Sequence, residues 1–288
     1  MKRSLALLLI ALSAWSSGAR AATVEGRLFI IGGGTRSESM MKRFIALAEQ
    51  SGRGTILVFP MASATPEETG KSQVEEFVKY GAKNVVFRNL TREDALKPGS
   101  ADLLDGVGGV YFCGGDQARI TKVLLDTPVH ARLLDLYAGG AVIGGISAGA
   151  AVMSRLMITG DEKREVKSGD EFSTLQAGNI VTTRGLGFIS SAIIDQHFAT
   201  RKRHNRLISL VAENPSLLGV GIDETTAIIV SRGERFEVIG DKDVIVYDAT
   251  RAKVTITPSK AVGIVGMTTH VLLPGQTYDL KSKKVLVR

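Results

Sequence analysis

The sequence predicts an α/β fold: a predominantly parallel sheet flanked by helices, with antiparallel strands toward the C-terminus. Two observations predict it. In the first half of the chain, short continuous apolar runs alternate with amphipathic stretches, and strands that are apolar on both faces need helices covering both faces. After Ala227 the apolar runs crowd together with only short polar turns between them, which is the pattern of hairpins.

The elements follow in order. Arg27-Leu28-Phe29-Ile30-Ile31 reads as the first strand, turned by Gly32-Gly33-Gly34, and Glu38 to Gln50 as an amphipathic helix. The glycine run is not a full G-x-G-x-x-G, and no acid stands where a ribose would need one, so a dinucleotide site is disfavoured. Thr55-Ile56-Leu57-Val58-Phe59 is the second strand, and a helix is expected over 69–80. Asn84-Val85-Val86-Phe87 and Val110-Tyr111-Phe112 are further strands, and Ala141-Val142-Ile143-Gly144 is another. The later runs at 228–230, 236–239, 244–247 and 254–256 are expected to be antiparallel strands at one end of that sheet.

The chemistry is concentrated where the strand at Ala141 ends. Gly145-Ile146-Ser147-Ala148-Gly149 joins it to the start of a helix, Ala150-Ala151-Val152-Met153. Strand, sharp turn with serine at the apex, helix: this is the pattern of a nucleophile elbow. Glycines on either side let strand and helix approach closely, and the N–H of Ala148 at the helix start can face a developing oxyanion. Gly115, in the Gly114-Gly115 turn, is the candidate for the second oxyanion donor.

A hydroxyl nucleophile needs a base, and the base an orienting acid. Of the four histidines, His197 follows the apolar run 189–194 in Asp195-Gln196-His197-Phe198, so it sits at a strand end, where open α/β sheets place reactive groups. His130 and His204 read as solvated, and His270 lies in the strand-rich tail. Between Ser147 and His197 runs Asp161-Glu162-Lys163-Arg164-Glu165, and spacing leaves Asp161, Glu162 and Glu165 open as the acid.

The 288 residues show no linker, repeat or low-complexity tract. Met1-Lys2-Arg3, an apolar core from Leu5 to Trp15 and Ala19-Arg20-Ala21 have the order of a secretory signal peptide ending in an A-x-A cleavage site. Residues 1–21 are therefore expected to be removed, leaving 22–288 as one domain in an exported protein. The net charge of +7 loses the three cations Lys2, Arg3 and Arg20 and becomes +4, too mild to imply nucleic-acid binding. The single cysteine, Cys113, cannot form an internal disulfide and reads as a small buried hydrophobe. No pattern of metal ligands is present, so no metal or cofactor is implied.

The basic run Arg201-Lys202-Arg203-His204-Asn205-Arg206 follows the histidine within a few positions. It has no interleaved aromatics, which argues against nucleic acid. Arginine forks match carboxylates, so an acidic substrate would suit it, while a solvated helix start stays open as the other reading.

Gly114-Gly115-Asp116-Gln117, Gly145-Ile146-Ser147-Ala148-Gly149-Ala150, Asp195-Gln196-His197-Phe198 with its following arginines, and Gly221-Ile222-Asp223-Glu224-Thr225-Thr226-Ala227 stand in family order. With them the chain resembles the cyanophycinase branch of the S51 serine peptidases. The resemblance implies a three-layer sandwich like the class-I glutamine amidotransferases and flavodoxins, and a nucleophile, acid and base in the order Ser, Glu, His. Within that order Glu165 is the best match for the acid. The resemblance also puts Gln117, Asp195, Gln196, Arg201, Arg203 and Arg206 near bound substrate. That substrate would be cyanophycin, a poly-aspartate whose side-chain carboxyls carry arginine, cleaved to β-Asp-Arg dipeptides. A homodimer is the family's suggestion, with no membrane contact after signal cleavage. Ile146 stands where the family often has threonine. The alternatives are an aspartyl dipeptidase of the same family, an α/β-hydrolase-like esterase, and a non-catalytic binding protein on the same fold.

Overall fold

A computed structural model describes residues 25–167, 169–231 and 234–286. The expected signal peptide lies outside the described residues.

The parallel half of the expectation holds. Strands β1 (Arg27–Ile31), β2 (Thr55–Phe59), β3 (Asn84–Phe87), β4 (Val107–Phe112) and β5 (Val142–Ile146) pair in parallel, in the order β1-β5-β4-β2-β3. Helices α1 (Glu38–Gln50), α2 (Pro66–Lys79), α3 (Arg92–Leu96), α4 (Gln117–Leu124) and α5 (Pro128–Ala138) form the connections. Helix α2 begins three residues before the expected start because Pro66 takes its first turn, where a missing N–H costs nothing.

Strands β1, β2, β4 and β5 bury both faces, as a covered parallel sheet must, while the edge strand β3 is partly exposed. Along β1, Leu28 and Ile30 point into one core, and Phe29 and Ile31 into another. The second core is aromatic. Phe44 of α1 meets Phe29 and Tyr111 edge-on at 5.5 Å each, and Phe77 of α2 packs on Tyr111 at 5.2 Å. Cys113 lies in the same core; burial pushes its thiol up to about 12, so it is an inert hydrophobe as expected.

The C-terminal half is more elaborate than expected. After α6 (Ala148–Ala151), β6 (Leu156–Glu162) and β7 (Ile180–Arg184) form a separate antiparallel pair. Next come β8 (Ala192–Gln196), α7 (His204–Glu213), β9 (Leu218–Ile222), β10 (Thr226–Ser231), β11 (Arg235–Gly240) and β12 (Val244–Asp248). The remaining strands are β13 (Lys253–Ile256), β14 (Val262–Val265), β15 (Thr268–Leu272), β16 (Thr277–Asp279) and β17 (Lys284–Leu286). Among the described residues, only β10, β11, β16 and β17 extend the main sheet, antiparallel, beyond β1. A second sheet runs β15-β12-β9-β8, with β8 and β9 parallel, and α7 packs on it over Phe198, Leu207 and Val211. The third group, β13 with β14, is a hairpin. The expectation of antiparallel strands in one sheet is thus corrected: the strand at Val244 joins the second sheet and that at Lys253 leaves both. An apolar run carries no mark of the sheet it will join.

Candidate active site

The turn after β5 has the expected elbow geometry. Ser147 is held at φ 55°, ψ −109°, a region that costs a non-glycine residue roughly 1–3 kcal/mol. The glycines permit the approach. A Cβ on Gly145 would come 2.5 Å from the Gly149 carbonyl oxygen, and one on Gly149 would come 2.3 Å from that of Phe112. Both distances are below any real contact, so strand and helix touch only because these positions lack side chains.

His197 follows β8, which belongs to the second sheet, so nucleophile and base come from different sheets. Their side chains nevertheless meet: Ser147 Oγ lies 2.9 Å from His197 Nε2. On the other side of the ring, Nδ1 lies 2.5 Å from Glu224 Oε1. With Nδ1–H donated to Glu224, Nε2 is left unprotonated to receive the serine proton.

Glu224 therefore occupies the position assigned to Glu165 in the sequence. That assignment is corrected. Glu165 is exposed in the connection after β6, and no bond joins it to the ring. Its neighbour Asp161 is also exposed. Glu162 turns inward, but onto the Phe172 N–H and the Asn179 amide. Glu224 stands in the short crossing from β9 to β10, where the chain passes from the second sheet to the first. The segment from Gly221 to Ala227 carried it in plain view. What misled was chain order: the acid follows the base here.

One stretch of backbone holds all of this. Beyond β1, three consecutive carbonyls each accept a backbone N–H: Ile31 from Ser147 at 3.0 Å, Gly32 from His197 at 2.8 Å, and Gly33 from Thr225 at 2.9 Å. All three donors have positive φ, at 55°, 47° and 57°. Nucleophile, base and the residue after the acid are thus strained turns pinned to one template. A Cβ on Gly33 would lie 2.2 Å from His197 Cε1. The glycine run that superficially suggested a nucleotide loop is the bed of the imidazole.

Burial lowers the pKa of His197; the Glu224 bond opposes this, and the charges of Arg201 and Arg203 lower it further. The net shift is below the ordinary imidazole value, so the ring is neutral at neutral pH.

The other expected residues divide. The Gln196 side-chain oxygen lies 3.4 Å from Ser147 Oγ. Arg201 is exposed beside the site, and Arg203 is half-buried with Nη1 donating to the Gln196 carbonyl at 2.8 Å. Burial and the nearby Arg206 push the Arg203 guanidinium down to about 10. Gln117 is buried, its amide donating to the Ile158 and Thr159 carbonyls at 2.8 and 2.6 Å. Arg206 and Asp195 depart from expectation. They form a fully buried pair through two hydrogen bonds, with Nε to Oδ2 at 2.7 Å. Arg206 also lies under the Phe172 ring at 4.7 Å. Neither side chain presents its charge to an incoming substrate; Asp195 instead accepts the Gln196 N–H at 2.7 Å and fixes the strand end before His197. His204, expected to be solvated, bonds the Tyr247 hydroxyl at 2.9 Å.

Gly115 has φ 139° and lies hard against Ala62, where a Cβ would come 2.1 Å from the carbonyl oxygen. Gly114 borders the nucleophile, 3.5 Å from Ser147 Cβ by the same measure. Among the described residues no cluster suited to a metal ion occurs, and no helix is long and apolar enough to cross a membrane.

Known proteins resemble this chain over most of its length. The model of peptidase family S51 matches residues 28–239. A cyanophycinase from Nostoc sp. is 31% identical over 268 residues, 90% of this chain and 87% of that protein. Another from Geminocystis herdmanii is 32% identical over 235 residues, covering 79% of this chain and 83% of its own. Among solved structures, a peptidase from an acI-B1 actinobacterium superposes with a TM-score of 0.66 at 23% identity, over 89% of this chain and 98% of its own.

Proposed function

Since the chain belongs to peptidase family S51 and is a serine peptidase, we propose that it hydrolyses cyanophycin to β-Asp-Arg dipeptides through an acyl-enzyme. The observation that carries the mechanism is the unbroken line Ser147–His197–Glu224, with contacts of 2.9 and 2.5 Å. The substrate reading is supported by similarity to cyanophycinases over most of the chain and by Arg201 and Arg203 beside the nucleophile.

In this mechanism neutral His197 takes the Ser147 proton as Oγ attacks a backbone aspartyl carbonyl. Glu224 accepts the Nδ1–H throughout and stabilises the imidazolium that forms. The Ala148 N–H, at the start of α6, and the Gly115 N–H receive the oxyanion. His197 then protonates the leaving amine. Water, deprotonated by the same ring, releases the acyl group. Arg201 and Arg203 orient acidic groups of the polymer through charge-assisted hydrogen bonds. We propose that the enzyme acts outside the cytoplasm after loss of residues 1–21.

Mass spectrometry of products from purified cyanophycin tests this. The wild type is expected to release β-Asp-Arg, and a folded Ser147→Ala protein to release none. Efficient cleavage of α-Asp dipeptides with cyanophycin untouched would instead identify an aspartyl dipeptidase.

A further inference from the structure

Two groups of residues of different character lie near the nucleophile. One comprises Arg201 and Arg203, close enough for their charges to act on His197. A cavity also opens beside the elbow, with Arg36, Glu68, Gln73, Glu76, Gly114 and Ile146 in its lining. Gly114 and Ile146 border Ser147 directly, so the cavity abuts the reacting centre.

Its polar groups are unevenly used. Arg36 holds Glu76 through Nε to Oε1 at 3.2 Å and Nη2 to Oε2 at 2.5 Å, and Gln73 Nε2 adds a bond to Oε2 at 2.8 Å. Both Glu76 oxygens are thereby occupied, and the charges of the pair cancel; Arg36 Nη1 is left over, but its charge is matched. Gln73 is only 6% exposed. Its Nε2 is committed to Glu76, and no side-chain donor among the described residues reaches its Oε1, which lines the cavity. Glu68, in the first turn of α2, makes no ion pair among the described residues. The cavity thus offers a free carboxylate and a free amide carbonyl, and it carries one net negative charge.

Those are the needs of a planar cation with several N–H groups. We propose that this cavity is a subsite for the guanidinium of the substrate's side chain, with Glu68 as counter-ion and Gln73 Oε1 as neutral acceptor. The inference rests on the reading that the substrate is an arginyl-aspartate polymer. It gives each group a partner: the arginines read carboxylates of the polymer, and the cavity acceptors read a guanidinium.

Agmatine, a guanidinium cation without a carboxylate, is the probe. Calorimetry on the wild-type enzyme is expected to show binding that weakens as salt rises. Removing the exposed charge with Glu68→Gln, a surface change of similar size, is expected to weaken agmatine by about threefold or more. The KM for cyanophycin should rise in parallel. Agmatine that fails to bind the wild type, or binds both proteins equally, overturns the subsite. Unchanged KM in the variant, with cyanophycin still cut, overturns it too while leaving the substrate reading in place. Glu68-dependent agmatine binding in an enzyme that leaves cyanophycin intact has the opposite meaning: the subsite stands and the substrate reading falls.

Discussion

In the proposed mechanism neutral His197 accepts the Ser147 proton, and three influences set its charge. Burial and the flanking arginines disfavour the imidazolium, while Glu224 favours it. The base is inactive once protonated, so activity should fall on the acid side only as pH drops through the lowered pKa. The acidic limb of kcat/KM is therefore expected below the ordinary value of about 6.5. Arg201→Ala removes a lowering charge and should move that limb upward; a limb at or above the ordinary value in the wild type would contradict the account. Carboxylate substitutions separate the two candidate acids. Glu224→Gln should cost kcat/KM on the order of ten-thousand-fold, since the amide no longer enforces the right tautomer. Glu165→Gln, a change at an exposed loop, should stay within about twofold, and the reverse ranking would restore the sequence-based assignment. Ser147 was legible because its signal is local: glycines, serine and helix start lie within five residues. His197 was legible from its place at a strand end. Glu224 was not singled out because its contact to the ring spans 27 positions and crosses between sheets. Arg206 misled for a related reason: a buried arginine and a substrate-gripping one look alike until the partner, here Asp195, is seen.

At the scale of elements, the turn after β1 governs the site without contributing a reactive atom. Its carbonyls hold Ser147, His197 and Thr225, and Gly33 lies flat against the imidazole. Gly33→Ala should displace the ring and lower kcat/KM about a hundredfold, the usual penalty for a misplacement of about 1 Å. The far-UV circular dichroism should be retained. Gly52→Ala is the matched control: Gly52 also has positive φ, at 73°, but nothing lies within 4 Å of its missing Cβ. It should cost stability through backbone strain and leave kinetics alone. Equal kinetic effects from the two changes would remove the template role. The elements themselves were largely readable. Strands β1, β2 and β3 and helix α1 have the expected bounds, because their apolar periodicity is long and their turns are marked by glycine or polar residues. Partnership was not readable. The strand at Ala192 and the strand at Val142 look equally buried, yet they belong to separate sheets.

For the whole molecule, the expected maturation is the open question with a direct answer. N-terminal sequencing of protein from its native host should begin at Ala22; a cytoplasmic chain that retains Met1 would refute export. The division of the triad between two sheets has a further consequence, in time. A chain is made from its N-terminus, and domains fold as their parts emerge. The elbow is complete by Ala151, but its base arrives with β8 and its acid only after β9, while β1 still lacks the neighbour β10. A chain that ends before Glu224 lacks the carboxylate that meets the ring, and one that ends before residue 231 lacks part of the strand that flanks β1. Under the proposed mechanism, products that end before Glu224 are therefore expected to lack activity, so hydrolytic power would depend on the last third of the chain.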